Sequence, residues 1–168
     1  MITAISQEFP NIVILFPWAY YAYESDKQKY ALLPDFLDGI FEAAPPAVRL
    51  VDAGEDAYTF KIRKDFQWLR WKVTQDLRRL SSVPKPYTER VEVAFGIWID
   101  AESHKIGWHP DDLTKNFFTP GEFGKSVAYA LEATDEYVWI YSQEPNWWTG
   151  AKLPQAYVEA LRTANARN

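Results

Sequence analysis

The chain has no cysteine, one methionine and two histidines among its 168 residues. Without cysteine, no disulfide, thiolate metal site or thiol nucleophile can form, so the redox compartment is left open. The start MITAISQEFPN lacks the basic region and long apolar core of a signal peptide. No apolar run approaches membrane-spanning length. We therefore predict no membrane partner and assign no localisation.

Positive charge is also scarce and scattered. The net charge is -5, and the basic groups that cluster are only Lys61–Lys64 and Arg78–Arg79. A protein that grips phosphate backbones needs a basic patch, so nucleic acid is excluded as a predicted partner. The composition, 48% hydrophobic and 24% charged, is typical of a globular protein. The length predicts a single domain over residues 1–168.

Several motifs of familiar enzymes are missing. No G-x-G-x-x-G or P-loop follows an apolar run, which argues against a nucleotide site. No G-x-S-x-G elbow occurs. His104 and His109 stand near Asp111 and Asp112, but their spacing matches no metal-binding pair on a helix. We predict neither a metal nor a cofactor.

Four apolar segments are present, and each breaks at its C-terminal end into carboxylates and aromatics. They are IVILFPWAYYAYE (12–24), AVRLVDAGEDAY (47–58), VEVAFGIWIDAE (91–102) and YVWIYSQEPNWW (137–148). Successive apolar positions, as in IVILF and VWIY, are typical of parallel strands covered on both faces. The long intervening segments suit the crossovers that parallel strands need. The pattern predicts four consecutive parallel β-α units of class α/β.

The segments between the predicted strands have the apolar spacing of helices. Apolar stripes at steps of three or four residues predict helices over 32–43, 66–80 and 153–161. Thr119-Pro120-Gly121-Glu122 is a capping box with proline at the first helical position, so another helix begins at about Pro120. Pro154 fits only the first turn of the last helix.

Two arrangements of four β-α units compete. A doubly wound open sheet is one; a half (β/α)8 barrel is the other and is favoured because the phosphate-binding turn of nucleotide folds is missing. The chain begins almost directly before a strand, so we expect strands five to eight of a longer barrel. A free half barrel would expose unpaired sheet edges. We therefore expect a missing N-terminal half, or self-association, to cover them.

Three spans of the sequence resemble a known family. DFLDGIFEAAPPAVRLVDAGEDAY, FGIWID and FTPGEFGKSVAYALEATDEYVWIYSQEPNWW are similar to the C-terminal half of bacterial TIM-barrel proteins described as glycoside-hydrolase-like, many without assigned substrates. The resemblance implies a carbohydrate-active barrel. In the related larger class of barrel hydrolases, the acid/base follows strand four and the nucleophile strand seven. By this count Asp100 falls at the nucleophile position and strand four is absent.

Carboxylates that follow the predicted strands are the catalytic candidates. Glycoside hydrolysis needs two carboxyl groups that flank the scissile bond. Glu55, Asp100 and Glu144 follow the second, third and fourth strands. Each also has a structural interpretation: Glu55 as a first-turn charge on a helix, Asp100 as a turn residue and Glu144 as a solvated loop charge.

Aromatic and polar residues at the same strand ends are the predicted sugar-binding groups. Phe, Trp and Tyr make up 17% of the chain, and tryptophan and tyrosine rings suit the apolar faces of pyranose sugars. The candidates are Asp52, Tyr58, Trp18, Tyr20, Trp98, Asn146, Trp147 and Trp148. Packing in a core is the competing interpretation of the aromatics.

Two functions remain open. The first is hydrolysis of glycosidic bonds by paired carboxylates with an aromatic sugar platform. The second is a carbohydrate-binding or interaction module without catalysis, in which the carboxylates only accept hydrogen bonds. Whether the chain is an enzyme is therefore undecided at this stage.

Overall fold

A computed structural model describes residues 2–166. The chain divides into two compact units. Unit 1 holds the described residues up to Gly54 together with Trp68–Ala94, and unit 2 holds Glu55–Gln67 and the described residues from Phe95 onward. The prediction of a single domain over residues 1–168 stays a prediction.

Unit 1 is built on a parallel three-stranded sheet in the order β1-β2-β3. Its strands are β1 (Val13–Phe16), β2 (Arg49–Asp52) and β3 (Val91–Val93), and its helices are α1 (Ile2–Glu8), α2 (Tyr20–Ser25), α3 (Leu33–Ala43) and α5 (Pro84–Arg90). The register pairs Val13 with Arg49 and Leu50 with Val91. Leu50 and Val51 on the central strand are fully buried, so the core of the unit lies around β2.

Unit 2 is built on a parallel pair of strands, with Phe95 opposite Val138 and Trp98 opposite Tyr141. Its strands are β4 (Phe95–Trp98) and β5 (Val138–Tyr141), and its helices are α6 (Ser103–Ile106), α7 (Pro120–Ala133) and α8 (Gln155–Asn165). Phe95 and Ile97 are fully buried. They share one face of β4 because side chains alternate along a strand.

The capping box predicted for α7 is confirmed. The backbone amide of Thr119 donates to Glu122 Oε2 at 2.9 Å, and the amide of Glu122 donates to Thr119 Oγ1 at 3.4 Å. Pro120 is the first residue of the helix. The predicted helix over 32–43 is also confirmed, as α3.

The segment 66–80, predicted as one long helix, contains three kinds of helical structure. The α-helix α4 (Arg63–Trp71) crosses the unit boundary and is followed by a π-helical turn, Lys72–Asp76, and a 3-10 turn, Leu77–Leu80. Within residues 2–166, none of the helices is long and apolar enough to cross a membrane.

The prediction of four consecutive parallel β-α units forming a half (β/α)8 barrel, with strands five to eight, is wrong. Residues 2–166 form five strands, in two parallel sheets of three and two strands. The segment 91–102, predicted as one strand, is two strands separated at Ala94. The amide of Ala94 donates to the carbonyl of Asp52, while the next amide, of Phe95, donates to Tyr137. The apolar run does not reveal that its two halves pair with different partners.

Candidate functional site

The carboxylate of Asp100 is the anchor of the loop that follows β5. The side chain is 1% exposed. It accepts hydrogen bonds from Trp98 Nε1 at 2.8 Å, from the Gln143 amide at 3.1 Å and from the Glu144 amide at 2.9 Å. Asp100 follows β4 and the two amides follow β5, so the parallel pairing of these strands brings them together. Charge-assisted bonds of this kind are stronger than neutral ones.

Residues 142–151, here called the tryptophan loop, are held by their own hydrogen bonds as well. Asn146 Oδ1 accepts from the amides of Trp148 and Thr149, each at 2.9 Å. The Asn146 amide donates to the carbonyl of Ala151 at 2.9 Å, and the Gly150 amide donates to the carbonyl of Asn146 at 2.9 Å. Gly150 has a φ of 74°, a conformation that glycine adopts without strain. The loop is therefore fixed at both ends.

The tryptophan loop presents one indole almost completely to solvent. Trp148 is 97% exposed. The neighbouring Trp147 is half-buried, and its Nε1 is a buried donor with no hydrogen-bond partner among residues 2–166. A cavity of about 360 Å³ is lined by residues 140–148, which include both tryptophans. This volume is at the small end of the range for ligand pockets.

An aromatic cluster supports the strands beneath the loop. The ring of Tyr58 stacks on Tyr141, with centroids 5.5 Å apart and an interplanar angle of 13°. Edge-to-face contacts join it to Trp98 at 6.0 Å and to Trp139 at 5.4 Å. Gly96 leaves room for this cluster, because a Cβ there would lie 2.7 Å from Trp139 Cζ2 and 2.8 Å from Tyr58 Cε1.

Glu55 belongs to the same unit and is tied to this cluster. Tyr58 Oη donates to Glu55 Oε1 at 2.6 Å. Burial, followed by this hydrogen bond, raises the pKa of the Tyr58 hydroxyl well above its usual range. Tyr58 therefore stays protonated and keeps donating at every ordinary pH. Trp98 Nε1 is occupied by Asp100, so its ring is the part open to other contacts.

Glu144 is exposed, and its carboxylate is paired with the lysine that directly follows the tryptophan loop. Lys152 Nζ lies 2.9 Å from Glu144 Oε2. Both side chains are on the surface, at 61% and 38% exposure for the lysine and the glutamate. The pair neutralises the net charge at the end of the tryptophan loop.

Three predicted binding residues lie in unit 1. Tyr20 is fully buried, donates to Asp38, and has its pKa raised by burial and by that carboxylate. Asp52 is 6% exposed, and its Oδ1 accepts from the Gly54 amide at 3.3 Å. Trp18 is 54% exposed and contacts Tyr30 edge-to-face at 5.9 Å. Their predicted contact with sugar stays a prediction.

The other eight candidates lie in unit 2, where the structure brings two groups together. Asp100, Glu144, Asn146, Trp147 and Trp148 form or hold the tryptophan loop, and Glu55, Tyr58 and Trp98 belong to the aromatic cluster. Asp100 and Trp98 join the two groups through one hydrogen bond.

Sequence reasoning missed several supporting residues. Lys152, Tyr141 and Gly96 were not candidates, although each completes a contact of the site. A signal for Gly96 exists: FGIW and VWIY are aligned apolar strands, and a glycine opposite a tryptophan marks room for a ring. Lys152 had no comparable signal, because its pairing depends on how the loop folds back.

The two histidines lie outside any metal-binding cluster. His104 stacks on Trp98, with ring centroids 6.1 Å apart, and His109 Nε2 lies 2.8 Å from the carbonyl of Ile106. In the part of the chain that the structure describes, no group of three or more His, Cys, Asp or Glu side chains could hold a metal ion.

The chain was compared with protein families, with curated proteins and with solved structures, and none of them matches. The resemblance to glycoside-hydrolase-like proteins therefore stays a prediction.

Proposed function

We propose that unit 2 binds a neutral carbohydrate on the tryptophan loop without cleaving it. The observation that carries the proposal is the 97% exposure of Trp148 at the tip of a loop anchored by a buried carboxylate. An exposed indole gains free energy when a flat apolar surface covers it, and the C–H face of a pyranose ring is such a surface. The loop is already ordered, so little conformational entropy is lost on binding.

Polar groups beside Trp148 suit the hydroxyls of a sugar. Asn146 uses Oδ1 within the loop, and its Nδ2 has no hydrogen-bond partner among residues 2–166. Gln143 is exposed, and Trp147 Nε1 is a donor that still lacks an acceptor. These neutral amide and indole groups line the same cavity as Trp148, and such groups beside an apolar ring suit sugar recognition.

A neutral ligand is favoured by the charges at the loop. Lys152 and Glu144 neutralise one another, and the charge of Asp100 is surrounded by three donors. No unpaired basic group among residues 142–152 remains to attract an acidic sugar.

Binding without cleavage follows from how the carboxylates are used. Hydrolysis needs two carboxyl groups about 5–10 Å apart that are free to exchange protons or attack the sugar. The Asp100 oxygens are occupied by backbone and indole donors, and Glu144 is paired with Lys152. Glu55 accepts a hydrogen bond from the Tyr58 hydroxyl. All three candidate carboxylates therefore accept hydrogen bonds from other groups of the chain, which favours binding over the proton-donor and nucleophile roles of hydrolysis.

The first experiment measures affinity for a panel of soluble neutral oligosaccharides by calorimetry. We expect Trp148→Ala to weaken binding by at least about tenfold, the effect of about 1.4 kcal/mol lost from a central aromatic contact. Trp71→Ala is the matched control, because Trp71 is also exposed, at 54%, but lies in unit 1. That variant should bind like the parent protein.

The same panel tests cleavage by measuring the release of reducing ends. No release is expected from the parent protein. Release that disappears in both Glu55→Gln and Glu144→Gln would establish hydrolysis and contradict the non-catalytic assignment. If no oligosaccharide binds, or if Trp71→Ala is as harmful as Trp148→Ala, the tryptophan loop is not the binding site.

A further inference from the structure

The strand β1 is an edge strand with an unused row of backbone groups. It pairs with β2 on one side only, as the first strand in the order β1-β2-β3. The carbonyls of Ile12 and Phe16 accept from residues of the β2 segment, so these alternate residues face β2. Val13 and Leu15 therefore direct their amides and carbonyls to the outer edge. Neither has a backbone hydrogen bond to another described residue on that side.

Nothing in β1 protects this edge. Natural proteins cover an edge, charge it or bend it with a bulge. The strand VILF carries no charge, and its register with β2 runs from Val13 to Phe16 without interruption. Leu15 is 39% exposed. An uncharged apolar edge of this kind is a template for another strand.

We propose that a second copy of this chain pairs with β1 edge to edge, in antiparallel orientation about a two-fold axis. The axis passes beside Ile14, so that Val13 of one copy faces Leu15 of the other. Both residues of each such pair have outward amides and carbonyls, and an antiparallel hydrogen-bonded pair uses all of them. The two pairs related by the axis satisfy every outward group of Val13 and Leu15. The three-stranded sheets of the two copies then form one six-stranded sheet.

A second copy fits this edge because the strand is complementary to itself. Two copies of VILF bring no like charges together, and the side chains that meet on each face are aliphatic or aromatic. The two-fold arrangement is closed, so it produces dimers and not fibres. Two four-residue strands make a small contact, which places the dimer among weak, concentration-dependent ones.

The experiment is sedimentation of the full chain over a wide concentration range. The parent protein should pass from monomer to dimer. Leu15→Pro removes one outward amide without affecting the bonds to β2, and Leu15→Lys places like charges near the axis. We expect either change to weaken dimerisation by about tenfold or more. Leu32→Lys is the control, because Leu32 is an apolar residue of unit 1 at 81% exposure outside β1, and it should leave dimerisation unchanged.

Hydrogen exchange of the parent protein gives a readout that does not depend on the variants folding. The Val13 and Leu15 amides should become protected as concentration rises, whereas the Ile14 amide, which faces β2, is protected throughout. The proposal is overturned by a protein that stays monomeric at every concentration, or by a dimer in which those two amides exchange freely. It is also overturned by folded Leu15 variants that dimerise like the parent.

Discussion

At the scale of single residues, Asp100 determines the geometry of the candidate site. A carboxylate that is 1% exposed would be strongly unfavourable without partners. Here three groups donate to it, and two of them are amides of the tryptophan loop. The residue that sequence reasoning assigned to chemistry therefore has a clear positioning role, since it holds the loop that carries Trp148.

Replacing this carboxylate should loosen the loop. Asp100→Asn puts an NH2 group where only acceptors fit, so we expect the free energy of unfolding to fall by about 1–3 kcal/mol. The amides of Gln143 and Glu144 should exchange faster with solvent, and carbohydrate affinity should fall with them. Urea unfolding and hydrogen exchange measure both effects. Asp112→Asn is the control, because this carboxylate is on the surface and bonds only Thr114 and Lys115. Unchanged exchange at Gln143 and Glu144 would contradict the positioning role.

Gly96 is the second residue on which the site depends. Any side chain here would overlap the rings of Trp139 and Tyr58, which a Cβ would approach within 2.8 Å. Gly96→Ala should therefore lower the free energy of unfolding by about 1–3 kcal/mol through overpacking. Near-ultraviolet circular dichroism should also change, since the stacked rings must move.

Gly121→Ala is the matched control for this prediction. A Cβ at Gly121 meets nothing within 4 Å, and the position lies in the first turn of α7. Alanine is favoured over glycine in a helix, so this variant should be as stable as the parent or more stable. Equal effects of the two substitutions would show that the cluster tolerates the extra methyl group.

At the scale of secondary-structure elements, a buried network around Asp38 joins helix α3 to the turn that precedes α5. Asp38 is 6% exposed. Its oxygens accept from Ser81 Oγ at 2.6 Å, from the Ser82 amide at 2.7 Å and from Ser82 Oγ at 2.6 Å, and also from the Tyr20 hydroxyl. One side chain thus ties together three segments of unit 1.

This network should make the stability of unit 1 depend on acidity. Burial disfavours the charged form, but the hydrogen bonds from Ser81, Ser82 and Tyr20 outweigh it and hold the pKa of Asp38 below its ordinary value. A lowered folded-state pKa contributes stability that is fully present above the unfolded value of about 3.9. That contribution is lost as pH falls through the folded value. Urea midpoints measured on both sides of the unfolded value should therefore decrease toward acid.

Asp38→Asn separates this residue from other acidic groups. The variant should be less stable than the parent at neutral pH by about 1–3 kcal/mol, because its amide cannot accept all four bonds. The difference between the two proteins should shrink as pH falls below the unfolded value. A difference that stays constant across this range would mean that Asp38 does not titrate on unfolding.

At the scale of the whole molecule, the sequence predicts individual helices more reliably than it predicts which strands pair. The Thr119 to Glu122 box and the stripe over 32–43 depend on neighbours within one turn, so the sequence specifies them directly. The division into two sheets depends on Ala94, where adjacent amides bond to Asp52 and to Tyr137. Those partners are distant along the chain, and the apolar run VEVAFGIW carries no mark of the change.

The candidate site shows the same difference between what local sequence predicts and what depends on the folded chain. Asp100 and Glu144 were expected to lie together because they follow parallel strands, and the amide of Glu144 does bond Asp100. What each carboxylate contacts could not be predicted, because the loop folds back to bring Lys152 onto Glu144 and backbone amides onto Asp100. Exposure of Trp148 in place of burial is likewise a property of the folded loop.

The most direct test of the carbohydrate site is a titration followed through the indole N–H signals of the eight tryptophans by NMR. Single substitutions assign the signals of Trp147, Trp148 and Trp71. With a neutral oligosaccharide that binds, the signals of Trp147 and Trp148 should shift in a saturable way, the first because its unpaired Nε1 gains an acceptor, while the Trp71 signal stays in place. Shifts confined to tryptophans of unit 1, or none at Trp147 and Trp148 with any sugar of the panel, would contradict the account.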